Sequence, residues 1–137
     1  MLYFGEHFQR IFVVDAGKVI WTYTTGGSID SGPAVVNQTV LIGSNDDNLY
    51  ALNATTGAKL WLLKTGGPVY GSPAVANGVV YVGSFDKKVY AVDIGTGQTL
   101  GSVTTGGPIV GSPVIEFGRV LVGSDDGLLY GLFGSSH

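Results

Sequence analysis

One stretch recurs at a fixed interval and limits every reading of the rest. Thr65-Gly66-Gly67-Pro68 leads to Gly71-Ser72-Pro73-Ala74-Val75. Forty residues earlier Thr25-Gly26-Gly27 leads to Ser31-Gly32-Pro33-Ala34-Val35, and forty later Thr105-Gly106-Gly107-Pro108 leads to Gly111-Ser112-Pro113-Val114-Ile115. A strict period of this length marks a propeller or a solenoid, in which each repeat is one supersecondary unit.

The repeat from 68 to 107 shows what the unit is. Ala74-Val75-Ala76 and Val79-Val80-Tyr81-Val82 flank Asn77-Gly78. Two apolar runs split by Asn-Gly predict a hairpin, because both central residues of a type I′ turn need positive φ. Gly83-Ser84-Phe85-Asp86-Lys87-Lys88 turns the chain into Val89-Tyr90-Ala91-Val92-Asp93, and Gly95-Thr96-Gly97 turns it into a strand beginning Gln98-Thr99-Leu100. Each repeat is thus four short antiparallel strands, here named A to D, with no helical periodicity. Residues 1–27 supply strands B to D, 28–67 and 68–107 two full sets, and 108–137 strands A to C. Strand B is apolar almost without interruption, the mark of a strand covered on both faces. Four-stranded sheets covered on both faces and repeated every 40 residues predict an all-β chain, a partial β-propeller of about three and a half blades.

Composition removes several functions. The 137 residues are 45% hydrophobic and 12% charged, too apolar for disorder, yet no apolar run approaches the ~20 residues of a membrane helix. The net charge is −3, and the seven basic residues are scattered from Arg10 to Arg119. No basic face tracks phosphates, so nucleic acid is not an expected partner. Cysteine is absent, which excludes disulfides, thiolate metal sites and thiol nucleophiles. Met1 to His7 has neither a basic nor an apolar signal region.

The run Leu49-Tyr50-Ala51-Leu52-Asn53-Ala54-Thr55-Thr56-Gly57, closing on Leu60-Trp61, and its counterpart Tyr81-Val82-Gly83-Ser84 through Val89-Tyr90-Ala91-Val92-Asp93 to Thr96-Gly97, resemble the repeats of the PQQ-like (quinoprotein-type) β-propellers. The resemblance covers essentially the whole chain. It implies that Trp21 and Trp61 are the strand-D residues that dock one blade on the next. The third copy departs from the pattern, with Gly101 where tryptophan is expected, which implies a weaker junction there. Family members typically have seven or eight blades. Some are dehydrogenases holding pyrroloquinoline quinone and calcium in the central funnel. Others are non-catalytic, among them the outer-membrane assembly lipoprotein of the β-barrel machinery. Their habit points to an extracytoplasmic location, periplasmic or at the cell surface.

The residues favour the non-catalytic class. The quinone pocket of those dehydrogenases uses a stacking tryptophan and often a disulfide, whereas this chain has no cysteine and commits both tryptophans to docking. Asp46, Asp86 and Asp126 recur at one turn, where an aspartate ordinarily accepts backbone N–H bonds. The Asn45-Asp46-Asp47-Asn48 loop is the best metal candidate but lacks the spacing of any calcium motif. His7 and His137, the two histidines, and Glu6 and Glu116, the two glutamates, assemble no catalytic group. Ser72 and Ser112 precede proline and read as turn residues. No catalytic, cofactor-binding or metal residue is therefore assigned.

The candidate interaction loop is the D-to-A crossover, where Asp30, Tyr70 and Val110 occupy one equivalent position with different chemistry. The expected function is a scaffold or protein-interaction module. The alternatives are a fragment of a quinoprotein dehydrogenase or a ligand-sensing propeller, the latter requiring a pocket lined by those three residues. Because so few blades cannot close a ring, the chain is expected to associate with itself or to be completed by the rest of a longer propeller.

Overall fold

The computed structural model describes residues 2–5, 10–30, 32–116 and 118–132, and all its regular elements are strands. They form four antiparallel sheets in chain order. The first contains β1 (Leu2–Gly5), β2 (Arg10–Asp15) and β3 (Lys18–Thr24). The second contains β4 (Ala34–Val36), β5 (Thr39–Gly43), β6 (Asn48–Asn53) and β7 (Lys59–Lys64). The third repeats it with β8 (Ala74–Ala76), β9 (Val79–Gly83), β10 (Lys88–Asp93) and β11 (Thr99–Thr104). The fourth has β12 (Val114–Glu116), β13 (Arg119–Gly123) and β14 (Leu129–Leu132). Each sheet is a meander in which sequence neighbours pair, the blade of a partial propeller.

Register is the same from blade to blade. Leu41 pairs with Ala51, Tyr81 with Ala91 and Leu121 with Gly131. Strands A and B are joined by two-residue turns, Asn77-Gly78 having φ of 52° and 77°, the mirror-image geometry that matches strand twist. Between strands C and D the register skips one residue of D: Ile20, Leu60 and Leu100 are the bulged positions.

The short A strands are innermost. β8 contacts both β4 and β12, and Ser72 ties the neighbouring segments together. Its N–H donates to Ser112 Oγ at 2.7 Å, and its hydroxyl donates to Gly32 O at 2.9 Å.

The core lies between the blades. Val40 and Ile42 of β5 pack toward the first blade with Ile11 and Trp21, while Leu41 of the same strand packs toward the third with Val80 and Val82. All of these except Trp21 are fully buried, each burial being worth ~1.5–3 kcal/mol. The third junction has the smallest buried cluster among the described residues, Val89, Ile109 and Val122.

Candidate functional site

The D-to-A crossovers and the B–C turns meet at one end of the blades. Their contact is built the same way in successive repeats. Backbone N–H groups of Asn45, Phe85 and Asp125 donate to the carbonyls of Ser28, Pro68 and Pro108 at 2.9, 2.9 and 3.0 Å. The two segments approach so closely that a Cβ on Gly67 would stand 2.9 Å from Asp86 N. No larger residue fits without moving backbone.

Two polar clusters hold this contact. In the buried one, Thr65 Oγ1 lies 2.7 Å from Gly67 O and 2.9 Å from Ser84 Oγ. Thr25 with Ser44 and Thr105 with Ser124 repeat it, both pairs at 3.0 Å. The other cluster centres on the aspartates. Asp86 Oδ2 accepts the Gly66 N–H at 2.9 Å and the Tyr90 hydroxyl, while its Oδ1 accepts the Lys88 N–H at 2.9 Å. Asp46 does the same with Gly26, Tyr50 and Asn48, and Asp126 with Gly106, Tyr130 and Leu128.

These bonds shape the titration of the groups. The Tyr130 hydroxyl, with backbone N–H donors behind it, holds Asp126 below the usual carboxylate range. Burial, followed by the bond to aspartate, pushes the Tyr50 and Tyr90 hydroxyls up. For Tyr130 the bond to Asp126 is the larger cause of its raised value. The aspartates are therefore more than local turn acceptors: each bridges a crossover 20 residues earlier and a tyrosine four residues later. Sequence reasoning missed the tyrosines, although their constant spacing from aspartate was the available signal.

On this repeated frame the outward positions differ. Asp30 Oδ2 accepts from Asn45 Nδ2 at 3.0 Å, and the same amide reaches Ser28 Oγ at 2.7 Å. One blade on, the equivalent pair is Tyr70 with Phe85, ring centroids 5.6 Å apart and nearly perpendicular, a favourable edge-to-face geometry. In the last blade the equivalents are Val110 and Asp125, both exposed. Asp30, Tyr70 and Val110 thus stand in three successive crossovers, each beside its own B–C turn. A hollow at the A–B hairpins, lined by Asn77, Tyr81, Ile115 and Arg119 among others, includes none of the three.

Trp21 and Trp61 lie elsewhere, between blades. Trp21 Nε1 donates to Ala54 O at 2.8 Å and Trp61 Nε1 to Ile94 O at 2.9 Å. Gly57 and Gly97, both with φ of +78°, face the two indoles.

Among the described residues no group of three or more His, Asp or Glu side chains is placed to hold a metal ion. In the Asn45–Asn48 loop the amide oxygens of Asn45 and Asn48 are buried without a hydrogen-bond partner, while Asp46 is engaged as above. Glu6, His7, Ser31 and His137 lie outside the described residues. No described helix is long and apolar enough to cross a membrane.

The family described as outer membrane protein assembly factor BamB matches residues 7–136. No curated protein matches in sequence. Among solved structures, BamB from Moraxella catarrhalis superposes with a TM-score of 0.82 at 21% identity over 96% of this chain. The chain spans only 41% of that protein's length. The computationally designed Ika4 protein gives 0.86 at 19% identity, covering 97% of this chain and 84% of its own. Quinohemoprotein alcohol dehydrogenase ADHIIG from Pseudomonas putida HK5 gives 0.69 at 26% identity, covering 75% of this chain and 19% of the enzyme.

Proposed function

This chain belongs to the BamB family of PQQ-like β-propellers, and from that premise we propose that it is a non-catalytic propeller module that docks another protein on its crossover face. One observation carries the reading. A frame fixed by the same Asp, Tyr, Thr and Gly contacts in successive blades presents a hydrogen-bonded pair, an aromatic pair and an aliphatic–acid pair at one equivalent position. Rigid scaffold with locally varied loop chemistry is how folds of this kind carry specificity. A face with exposed aromatic and aliphatic groups beside a few polar ones suits a protein surface. The description of the family as an outer membrane assembly factor favours an extracytoplasmic setting.

The competing reading is a piece of a quinoprotein dehydrogenase, favoured by the likeness to the Pseudomonas enzyme. Against it, both indole N–H groups are bonded to carbonyls of the next blade. The three turn aspartates likewise have their carboxylates committed to crossovers and tyrosines. Among the described residues the end sheets have three strands where the inner sheets have four, and we propose that the ring is completed by a second copy or by the rest of a longer propeller.

Titration with pyrroloquinoline quinone and calcium, followed by cofactor absorbance, separates the two readings. No saturable change is expected, and stoichiometric binding would overturn the proposal. A photo-crosslinking residue at Val110 should capture a protein that the same residue at Asn77, on the A–B hairpins, does not. Equal capture at both positions would count against a dedicated face.

A further inference from the structure

The junction between the third and fourth sheets is built from different residues than the one before it. In the second blade Ala34, Leu41, Ala51 and Trp61 form one row of cross-strand neighbours. That row faces the third blade, where it packs with Val80 and Val82. The equivalent row of the third blade is Ala74, Tyr81, Ala91 and Gly101. Leu41 is fully buried and Trp61 is 9% exposed, whereas Tyr81 and Gly101 are only partly buried.

This junction is underfilled at the end where the A–B hairpins lie. The hollow there has a volume of about 90 Å³. Ala76 and Val79 wall it from the third blade, Ile115 and Val120 from the fourth, and Tyr81 stands beside them. At the preceding junction the counterparts of Tyr81 and Val120, Leu41 and Val80, are fully buried in one cluster. A closed apolar cavity of ~150 Å³ holds benzene. The present hollow is smaller and is bordered by exposed residues, so it suits a single ring whose substituent stays outside.

We propose that this hollow binds a small aromatic acid, with the ring against Tyr81 and the aliphatic walls and the carboxylate on Arg119. The Tyr81 ring offers an aromatic ligand an offset or edge-to-face contact that an alkyl group does not gain. Arg119 is exposed and is the one charged residue lining the hollow. Glu116, its partner in strand register, does not line it. A guanidinium matches the two oxygens of a carboxylate. Apolar walls with a convergent polar group are the common form of a small-molecule site. The hairpin end is opposite the crossover face, so this site does not depend on the docking reading.

The probe is phenylacetate, titrated into the full chain and followed by amide shifts. Saturable shifts are expected at Tyr81, Ile115 and Val120, and none at Leu41 of the preceding junction. Benzylamine and isovalerate should each bind at least about tenfold more weakly, the first for want of a negative charge and the second for want of a ring. Arg119→Gln should weaken phenylacetate by a similar factor and leave benzyl alcohol unchanged. Ala76→Leu, which places an alkyl group in the hollow, should abolish binding of both in a chain whose melting is unchanged. No saturable shift at millimolar phenylacetate, equal binding of benzylamine or isovalerate, or indifference to Arg119→Gln would overturn the proposal. Neither the quinone titration nor the Val110 crosslink reads this hollow, so failure here and failure of the docking reading are distinguishable.

Discussion

Gly97 lies against the indole of Trp61 from the preceding blade, so close that a Cβ on the glycine would stand 2.6 Å from Trp61 Cδ2. The tryptophan is 9% exposed and its N–H is bonded to Ile94 O. Trp61→Ala should cost ~3–5 kcal/mol in urea unfolding. A loss below ~1 kcal/mol would be that of a surface site.

The same glycine position gives an internal control. Gly17 and Gly97 have φ of +79° and +78°, but only Gly97 has a neighbour in the space a Cβ would take. Alanine at either site carries the backbone penalty of about 1 kcal/mol. Gly97→Ala should exceed Gly17→Ala by at least about another 1 kcal/mol from overpacking. Equal losses would mean that the indole contributes nothing at this contact.

A second glycine series tests where blades are covered. Gly43→Ala and Gly83→Ala push a methyl into Val69 and Ile109, and each should destabilise by ~1–3 kcal/mol. Gly123→Ala meets open space and should stay within about 0.5 kcal/mol of wild type. Chemical denaturation of the three variants side by side decides it.

The aspartate–tyrosine bridge should matter through both partners. Asp86→Ala leaves the Gly66 and Lys88 N–H groups and the Tyr90 hydroxyl without their acceptor and should cost ~2–3 kcal/mol. Tyr90→Phe removes one bond and should cost about 1 kcal/mol. The pH dependence follows from the shifts. Because the folded state depresses Asp126, its contribution is present at neutral pH and is lost as pH falls through the lowered value. Because Tyr50 and Tyr90 are raised above 10.0, stability falls as pH climbs above that ordinary value, where only the unfolded tyrosines ionise. Melting temperature against pH should show both limbs, the acid one flatter in Asp126→Asn and the alkaline one flatter in Tyr90→Phe.

Two turn residues of positive φ sit where the following repeat has glycine. Gln38 has φ of 63° and Lys87 of 78°, and the equivalents Gly78 and Gly127 have 77° and 87°. Gln38→Gly and Lys87→Gly should each stabilise by ~0.5–1 kcal/mol by relieving a backbone that L-residues resist. The Lys87 carbonyl that accepts from Thr105 is kept. A lowered melting temperature for either variant would contradict this.

The architecture was legible because period, strand length and turn type are all local properties of the chain. Val79-Val80-Tyr81-Val82 names a doubly covered strand without reference to its partner. Asn77-Gly78 likewise names its turn. The candidate face was legible only in part. Asp30, Tyr70 and Val110 can be aligned from the repeat, as can Asn45, Phe85 and Asp125, but the repeat does not show that the two sets are neighbours. Those come into register through backbone bonds between segments 17 residues apart, such as Asn45 to Ser28. The role of Gly57 and Gly97 was hidden for a similar reason. In sequence each is an ordinary turn glycine, and only packing brings a tryptophan of another blade against it.

The bulge between strands C and D has one more consequence. Strand D is the outer rim of each complete blade, and a flat rim strand with free backbone groups would recruit other strands and aggregate. Here the skipped residue, Leu60 in β7 or Leu100 in β11, breaks the regular spacing of that edge. Lys59 and Lys64, both exposed, place a charge at each end of β7. The rim of that blade is thereby a poor template for a fifth strand. The interruption beside Trp61 thus also keeps the outer edge of that blade from being copied.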